Sequence, residues 1–296
     1  MTIDEWINKS VKTLEDSSVD TAVLDAEVIL ADALDKDRSW LHAHPNKKLE
    51  PLLLARGLAS STLEGRLSRR ADHEPLAYIR GKKEFYGREF IVSKDTLTPR
   101  PETETMIELL QEMIGDWGLG IGEETHVMDI GTGSGNIIIT AALELSSFFD
   151  PQSSVSYTGL DISKPALKIA KQNAKKLNAK VEFIEFNLLT DDLSSILNPQ
   201  SSILLANLPY VPEGYNINDA AKHEPDVSLF SGSDGLDHYR ALFRQLSPPI
   251  SNRQPSILSV YTEALSEQHE SLESIANENG YRLEKTKDLI QVFVQK

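Results

Sequence analysis

The chain has no cysteine, which excludes disulfides and thiolate metal sites and suits a reducing compartment. It has no apolar run approaching the roughly 20 residues that a membrane-crossing helix needs. Its first residues, Met-Thr-Ile-Asp-Glu-Trp, have neither the basic start nor the apolar core of a secretory signal. A cytoplasmic protein with no membrane partner is expected. His42 and His44 have no third ligand nearby in sequence, and zinc wants three or four, so no metal is expected. Basic charge is also short: 30 Lys and Arg stand against 45 Asp and Glu, a net charge of −15. The deficit is uneven, with 14 basic and 16 acidic groups in residues 1–90 and 16 against 29 in the remainder. Neutralising phosphates takes clustered Lys and Arg, so direct nucleic-acid binding is not expected of the acidic part.

What is present has an ordinary globular balance, 40% apolar and 25% charged over 296 residues. The chain is organised around Val127-Met-Asp-Ile-Gly-Thr-Gly-Ser-Gly135, a buried-strand pattern that breaks into three alternating glycines. Glycines at 131, 133 and 135 permit positive φ and close approach of a ligand. The helix that starts at Asn136 turns its free N–H groups toward the loop. A dinucleotide cradle of the G-x-G-x-x-G type would need glycine at 136, where Asn136 stands. The loop Gly131, Thr132, Gly133, Ser134, Gly135 therefore suits a smaller adenosyl ligand, although an ordinary glycine-rich turn would read the same way in isolation.

One strand later, Val155-Ser-Tyr-Thr-Gly-Leu-Asp161 ends on an acid, placed to accept both ribose hydroxyls. Asp161 could equally cap the helix from Lys164 to Leu177, but Ser163 can take that role. The chemistry is carried by the next strand exit, where the apolar run Ser202–Ala206 empties into Asn207-Leu208-Pro209-Tyr210. Carboxyl-edge strand exits of open sheets are where ligands bind. Asn207 offers both a carbonyl acceptor and an amide donor, Pro209 holds Leu208 extended, and Tyr210 supplies a flat wall. Such a set grips a planar NH2 group.

These segments resemble the protein-(glutamine-N5) methyltransferases that modify peptide chain release factors. The resemblance runs through Glu74-Pro-Leu-Ala-Tyr-Ile-Arg-Gly81, Glu84-Phe-Tyr-Gly-Arg-Glu-Phe90, Thr98-Pro-Arg-Pro-Glu-Thr-Glu104, the glycine loop, Asn207–Tyr210, Glu224-Pro225 and Gly232-Ser-Asp-Gly235. Two departures stand out. Leu208 replaces the family's usual proline, and Thr286-Lys-Asp-Leu-Ile-Gln-Val292 lacks a Gly-Arg-Asp-Arg element often found there.

The resemblance implies S-adenosylmethionine as cofactor, held by the glycine loop, Asp161, Asn187, Leu188 and Asn207, with Arg100 and Glu102 at the pocket mouth. It implies a release-factor glutamine as substrate, held by Asn207, Leu208, Pro209, Tyr210, Glu224 and Pro225, the first four of which are the catalytic set. A monomer is expected. Asn-Leu-Pro-Tyr also resembles the motif of adenine N6-methyltransferases acting on rRNA or DNA, because adenine likewise presents a planar NH2. A protein that binds a translation factor without methylating it is the other alternative.

For architecture, apolar spacing predicts helices through residues 1 to about 70, including 22–34 and 52–67. Residues 83–92 predict a β-hairpin around Gly87. From 125 onward, strands at 126–130, 155–160, 181–186, 202–206 and 256–261 alternate with helices at 136–147, 164–177, 236–246 and 263–279. Strands at 281–286 and 289–295 close the chain as a hairpin. The expected class is α/β: a seven-stranded Rossmann-like methyltransferase domain (99–296), an N-terminal helical substrate-recognition bundle (1–80) and a hairpin linker (81–98). The stretch 66–88 carries a net charge of +4, either a solvated helix end or a docking patch.

Overall fold

The structure is a computed structural model and describes residues 1–116, 124–145, 154–197, 202–247 and 257–296. The chain falls into two compact units, one of Met1–Lys82 with Ile217–His223 and one of Lys83–Asn216 with Glu224–Lys296.

The first unit is helical: α1 Ile3–Asp16, α2 Ala22–Leu34, α3 Arg38–Ala43, α4 Leu49–Ala55, α5 Ser60–Ala71 and α6 Leu76–Arg80. Thr2 and Glu5 form a reciprocal capping box at the start of α1, satisfying two otherwise orphaned N–H groups. Around α2, Ala26, Ile29 and Leu30 pack with Ile3, Trp6, Leu14, Leu63 and Leu67 into a separate core. The single helix expected at 52–67 is two helices. Gly57, at φ +67°, ends α4, and Leu58 N–H returns to Leu53 O at 2.9 Å in a left-handed C-terminal cap. The basic stretch is largely neutralised within this unit. Arg66, Arg80 and Lys82 converge on Asp32, Arg70 pairs with Asp25 and Arg69 with Glu74. A free docking patch at Arg69 and Arg70 is therefore not what these side chains form.

A two-stranded hairpin follows, β1 Lys82–Phe85 and β2 Arg88–Ile91, all but its first residue in the second unit. Tyr86 and Gly87 both have positive φ, the type I′ geometry whose twist matches paired strands. Then come β3 Glu124–Ile130, β4 Ser154–Asp161, β5 Glu182–Glu185, β6 Ser202–Ala206, β7 Ile257–Glu263, β8 Tyr281–Lys287 and β9 Ile290–Gln295, in the order β5-β4-β3-β6-β7-β9-β8. β9 is antiparallel to both its neighbours, and the other pairs are parallel.

Helices α7 Glu104–Asp116, α8 Asn136–Glu144, α9 Lys164–Leu177, α10 Asp237–Leu246 and α11 His269–Glu278 complete this unit. Because strand side chains alternate between faces, Val127, Ile203 and Leu205 join a core with α7, α8 and α9. Met128, Leu204 and Ala206 join another with α10 and α11. Of the expected elements, residues 146–147 of the helix after the loop and residue 256 of the strand before Ile257 lie outside the described residues. The strand order reverses between β3 and β6, which opens a crevice at their carboxyl ends.

Candidate active site

At that reversal the loop after β3 meets the exit of β6. A Cβ on Gly131 would stand 3.3 Å from Leu208 Cδ2, so the absence of a side chain at residue 131, whose φ is +76°, lets the two loops meet without displacing Leu208. Gly131 and Thr132 N–H both donate to Leu160 O at 2.8 Å, tying the loop to β4. Gly133 N–H donates to Asp161 Oδ2 at 2.8 Å, and Ser163 N–H donates to Oδ1 at 2.8 Å. The Ser163 hydroxyl caps α9 by accepting from Ala166 N–H, which leaves Asp161 to the loop and the crevice. Burial raises the Asp161 pKa despite these two bonds.

A cavity of about 350 Å³ occupies the crevice, within the roughly 300–1,000 Å³ of small-molecule pockets. Of the residues singled out in the sequence, Gly131, Gly133, Asp161, Asn187, Leu188, Asn207, Leu208, Pro209 and Pro225 line it. Thr132, Ser134 and Gly135 stand behind the wall as supports. A Cβ at Gly135 would lie 2.9 Å from Ile139 Cδ1 and 3.1 Å from Ala170 Cβ, so that glycine serves helix packing. Asn187 Oδ1 accepts from Leu189 N–H, forming the turn that presents Leu188. Glu224, expected on the substrate wall, is instead held by Arg100 at 2.5 Å and by Thr98 N–H. That pair anchors the segment bearing Pro225. Neither Arg100 nor Glu102 lines the cavity.

The residues fit an adenosyl ligand. Gly133 has nothing within 4 Å of its would-be Cβ, Asp161 offers carboxylate acceptors, and Ile162, Phe186, Leu188 and Leu189 supply apolar wall.

Four residues of this region had not been singled out. Asp129, fully buried in β3, accepts from the Thr132 hydroxyl at 2.6 Å, and burial pushes its carboxyl up to about 7. An acid inside an apolar strand two residues before the glycine was the available signal. Thr103, Tyr239 and Glu263 carried none, since they come from distant segments. Asn207 Nδ2 donates to Thr103 Oγ1 at 3.2 Å, while the Oδ1 of that amide has no hydrogen-bond partner among the described residues. The Tyr239 hydroxyl sits among Ala206 O, Glu263 O and the N–H groups of Leu208 and Glu263. Gln268 Nε2 donates to Tyr210 O at 2.8 Å. Leu208 buries its side chain in the α10/α11 core, while its carbonyl oxygen has no hydrogen-bond partner among the described residues.

Sheet order, crevice and polar set together put the catalytic unit among the S-adenosylmethionine-dependent methyltransferases. A family model described as the PrmC N-terminal domain matches residues 5–81, and one described as a methyltransferase domain matches residues 121–201. A release factor glutamine methyltransferase from Koribacter versatilis is 35% identical over 258 residues, covering 84% of this chain and 81% of that protein. The Coxiella burnetii protein of the same name is 32% identical over 264 residues, covering 88% and 86%. Among solved structures, the N-terminal domain of human METTL16 superposes with a TM-score of 0.48 at 14% identity, covering 78% of this chain and 81% of that one. The chain belongs to the release factor glutamine methyltransferase family, and its cofactor is S-adenosylmethionine.

Two glycines with different surroundings serve the pocket and the packing. Gly133→Val places a branched side chain in open cavity at a backbone φ of +54°, so it is expected to abolish cofactor binding and also to lower the melting temperature. Gly135→Ala meets Ile139 and Ala170 and is expected to lower the melting temperature. Asp161→Ala removes charged hydrogen bonds and should weaken S-adenosylmethionine by about 1.5–3 kcal/mol. Calorimetric titration beside thermal melts checks all three, and wild-type affinity in both Gly133→Val and Asp161→Ala would move the cofactor elsewhere.

Proposed function

We propose that this chain transfers the methyl group of S-adenosylmethionine to the side-chain amide nitrogen, N5, of the glutamine in the Gly-Gly-Gln loop of peptide chain release factors, modulating translation termination. The observation that carries the reading is the pair of acceptors at the β6 exit, Asn207 Oδ1 and Leu208 O, neither of which has a hydrogen-bond partner among the described residues. Asn207 Nδ2 is already committed to Thr103. An amide nitrogen is a weak nucleophile because its lone pair is delocalised, so the site must orient it. Asn207 Oδ1 and Leu208 O each accept one hydrogen of the substrate NH2, which turns the nitrogen lone pair toward the methyl donor. Pro209 and Tyr210 pack the amide plane. S-adenosylmethionine supplies the electrophilic methyl on a positively charged sulfur. Orientation of this kind contributes about 7–11 kcal/mol through effective molarity. The proton leaves to water after transfer.

Residues 1–80 act as the substrate-recognition domain, 81–98 as the linker and 99–296 as the catalytic domain, in a cytoplasmic monomer that does not bind nucleic acid directly. Labelled-methyl transfer tests the reading on three acceptors: an intact release factor, the same factor with the loop glutamine replaced by alanine, and an adenine-bearing RNA. Label only on the intact factor is the expected result. Label on the RNA, or on the alanine variant, would overturn it.

A further inference from the structure

Glu263 ends β7 directly behind Asn207 and Tyr210 and is 1% exposed. The Tyr210 hydroxyl donates to its Oε1 at 3.3 Å. Its Oε2 is buried without a well-formed hydrogen bond among the described residues. Thr103 and Asn207 flank the same carboxyl and favour its charged form, and Asn207 Nδ2 donates to Thr103. A buried carboxyl is unfavourable unless its partners compensate, and packing alone would be served by an apolar residue here.

We infer that Glu263 is a positioning residue for methyl transfer, holding the Asn207 amide nitrogen inward through Thr103 so that Oδ1 faces the substrate NH2. The inference rests on the glutamine reading above. A side-chain amide has two polar ends, and a flipped Asn207 would set its own NH2 against the substrate NH2. An ionised Glu263 only accepts, so it draws its neighbours' donors inward. A protonated Glu263 donates a hydrogen of its own and releases that constraint.

Burial pushes the Glu263 carboxyl up to about 7, with Glu102 acting in the same direction and Thr103, Tyr210 and Asn207 opposing. The other groups that face this cluster are two phenols, a guanidinium and an imidazole. Tyr210 and Tyr239 are raised above the usual phenol range by burial, Arg100 is paired with Glu224, and the His269 ring lies against Ala264 O. The competent form is the ionised one, so the transfer rate should rise with pH through about 7.

The test is single-turnover methylation of a release factor from pH 6 to 8 by wild type, E263Q, E263D and T103V, with calorimetric S-adenosylmethionine affinity and thermal melts for each. E263Q is close to isosteric, carries no charge at any pH and puts an NH2 where an acceptor stood. Its rate should fall about 5- to 150-fold with cofactor affinity unchanged, and its pH-dependent rise should disappear. E263D should restore part of both, and T103V should lower the rate with affinity intact. A wild-type rate and pH profile in E263Q would overturn the positioning role. So would a rate loss in E263Q that tracks lost cofactor affinity and a lowered melting temperature, because that pattern is structural. Failure of the wild type itself to methylate the release factor would instead overturn the glutamine reading, and the role of Glu263 with it.

Discussion

Asn207→Ala is expected to lower the single-turnover methylation rate by about 5- to 150-fold. That range converts the roughly 1–3 kcal/mol cost of leaving a buried substrate hydrogen unpaired. Misalignment of the amide can enlarge the loss. Cofactor affinity should hold, because Gly131, Gly133 and Asp161 form their part of the pocket without this side chain. Asn207→Asp is the sharper companion. It keeps an acceptor of the same shape but adds negative charge near the methyl donor, so it stabilises the cationic ground state more than the partly neutralised transition state. Binding should then stay or tighten while transfer slows. It also loses the N–H that meets Thr103 and brings a second carboxylate toward Glu263. Rapid-quench methylation beside calorimetry checks both variants. A wild-type rate in Asn207→Ala would reduce the tetrapeptide to a strand exit.

Replacing Gly235 with alanine should be as damaging from farther away. Gly235 has φ +81°, and a Cβ there would lie 2.8 Å from the Tyr210 carbonyl carbon and closer still to its oxygen and to Gln268 Nε2. Gln268 also tethers the Tyr210 carbonyl, so relieving the contact displaces the Tyr210 backbone, the Gln268 tether or the Gly235 turn against them. A shift of about 1 Å at a positioning wall can cost on the order of 100-fold in rate. Gly57→Ala is the control: its φ is +67° and its Cβ would meet nothing within 4 Å. It should lose only about 1 kcal/mol of stability and keep its activity. Equal rates in the two variants would show that the approach of Gly235 to Tyr210 does not position the site.

What could be read from the sequence was what local patterns encode. The helix Lys164–Leu177 and the strand Ser202–Ala206 have the bounds that their apolar spacing and flanking residues imply. The glycine loop, Asp161 and Asn207 meet at one crevice because the order of an alternating strand-helix sheet fixes where its ends converge. Boundaries moved where a distant partner decides them. The helix expected from residue 263 begins at His269, because Glu263 is drawn into β7 by pairing with Ile290 and Ala264 N–H bonds Leu289 O. The same cause hid Glu263 and Thr103: one belongs to the last third of the chain and the other to the first turn after Arg100, and only the folded sheet sets them beside Asn207. Glu224 has the same dependence on a distant segment: its partner Arg100 lies more than a hundred residues upstream, so their ion pair has no local signature.

Leu208 divides its labour between main chain and side chain, and this bears on how such a site can vary during descent. The atom proposed to meet the substrate is a carbonyl oxygen that every amino acid carries, while the isobutyl group answers to the α10/α11 core. Selection on catalysis and selection on packing thus act on separate parts of one residue. A replacement at this position is then constrained by volume and apolarity, and apolar residues of similar size are expected to be interchangeable there with activity retained. Asn207 has no such freedom, since its proposed contribution lies in the side chain itself.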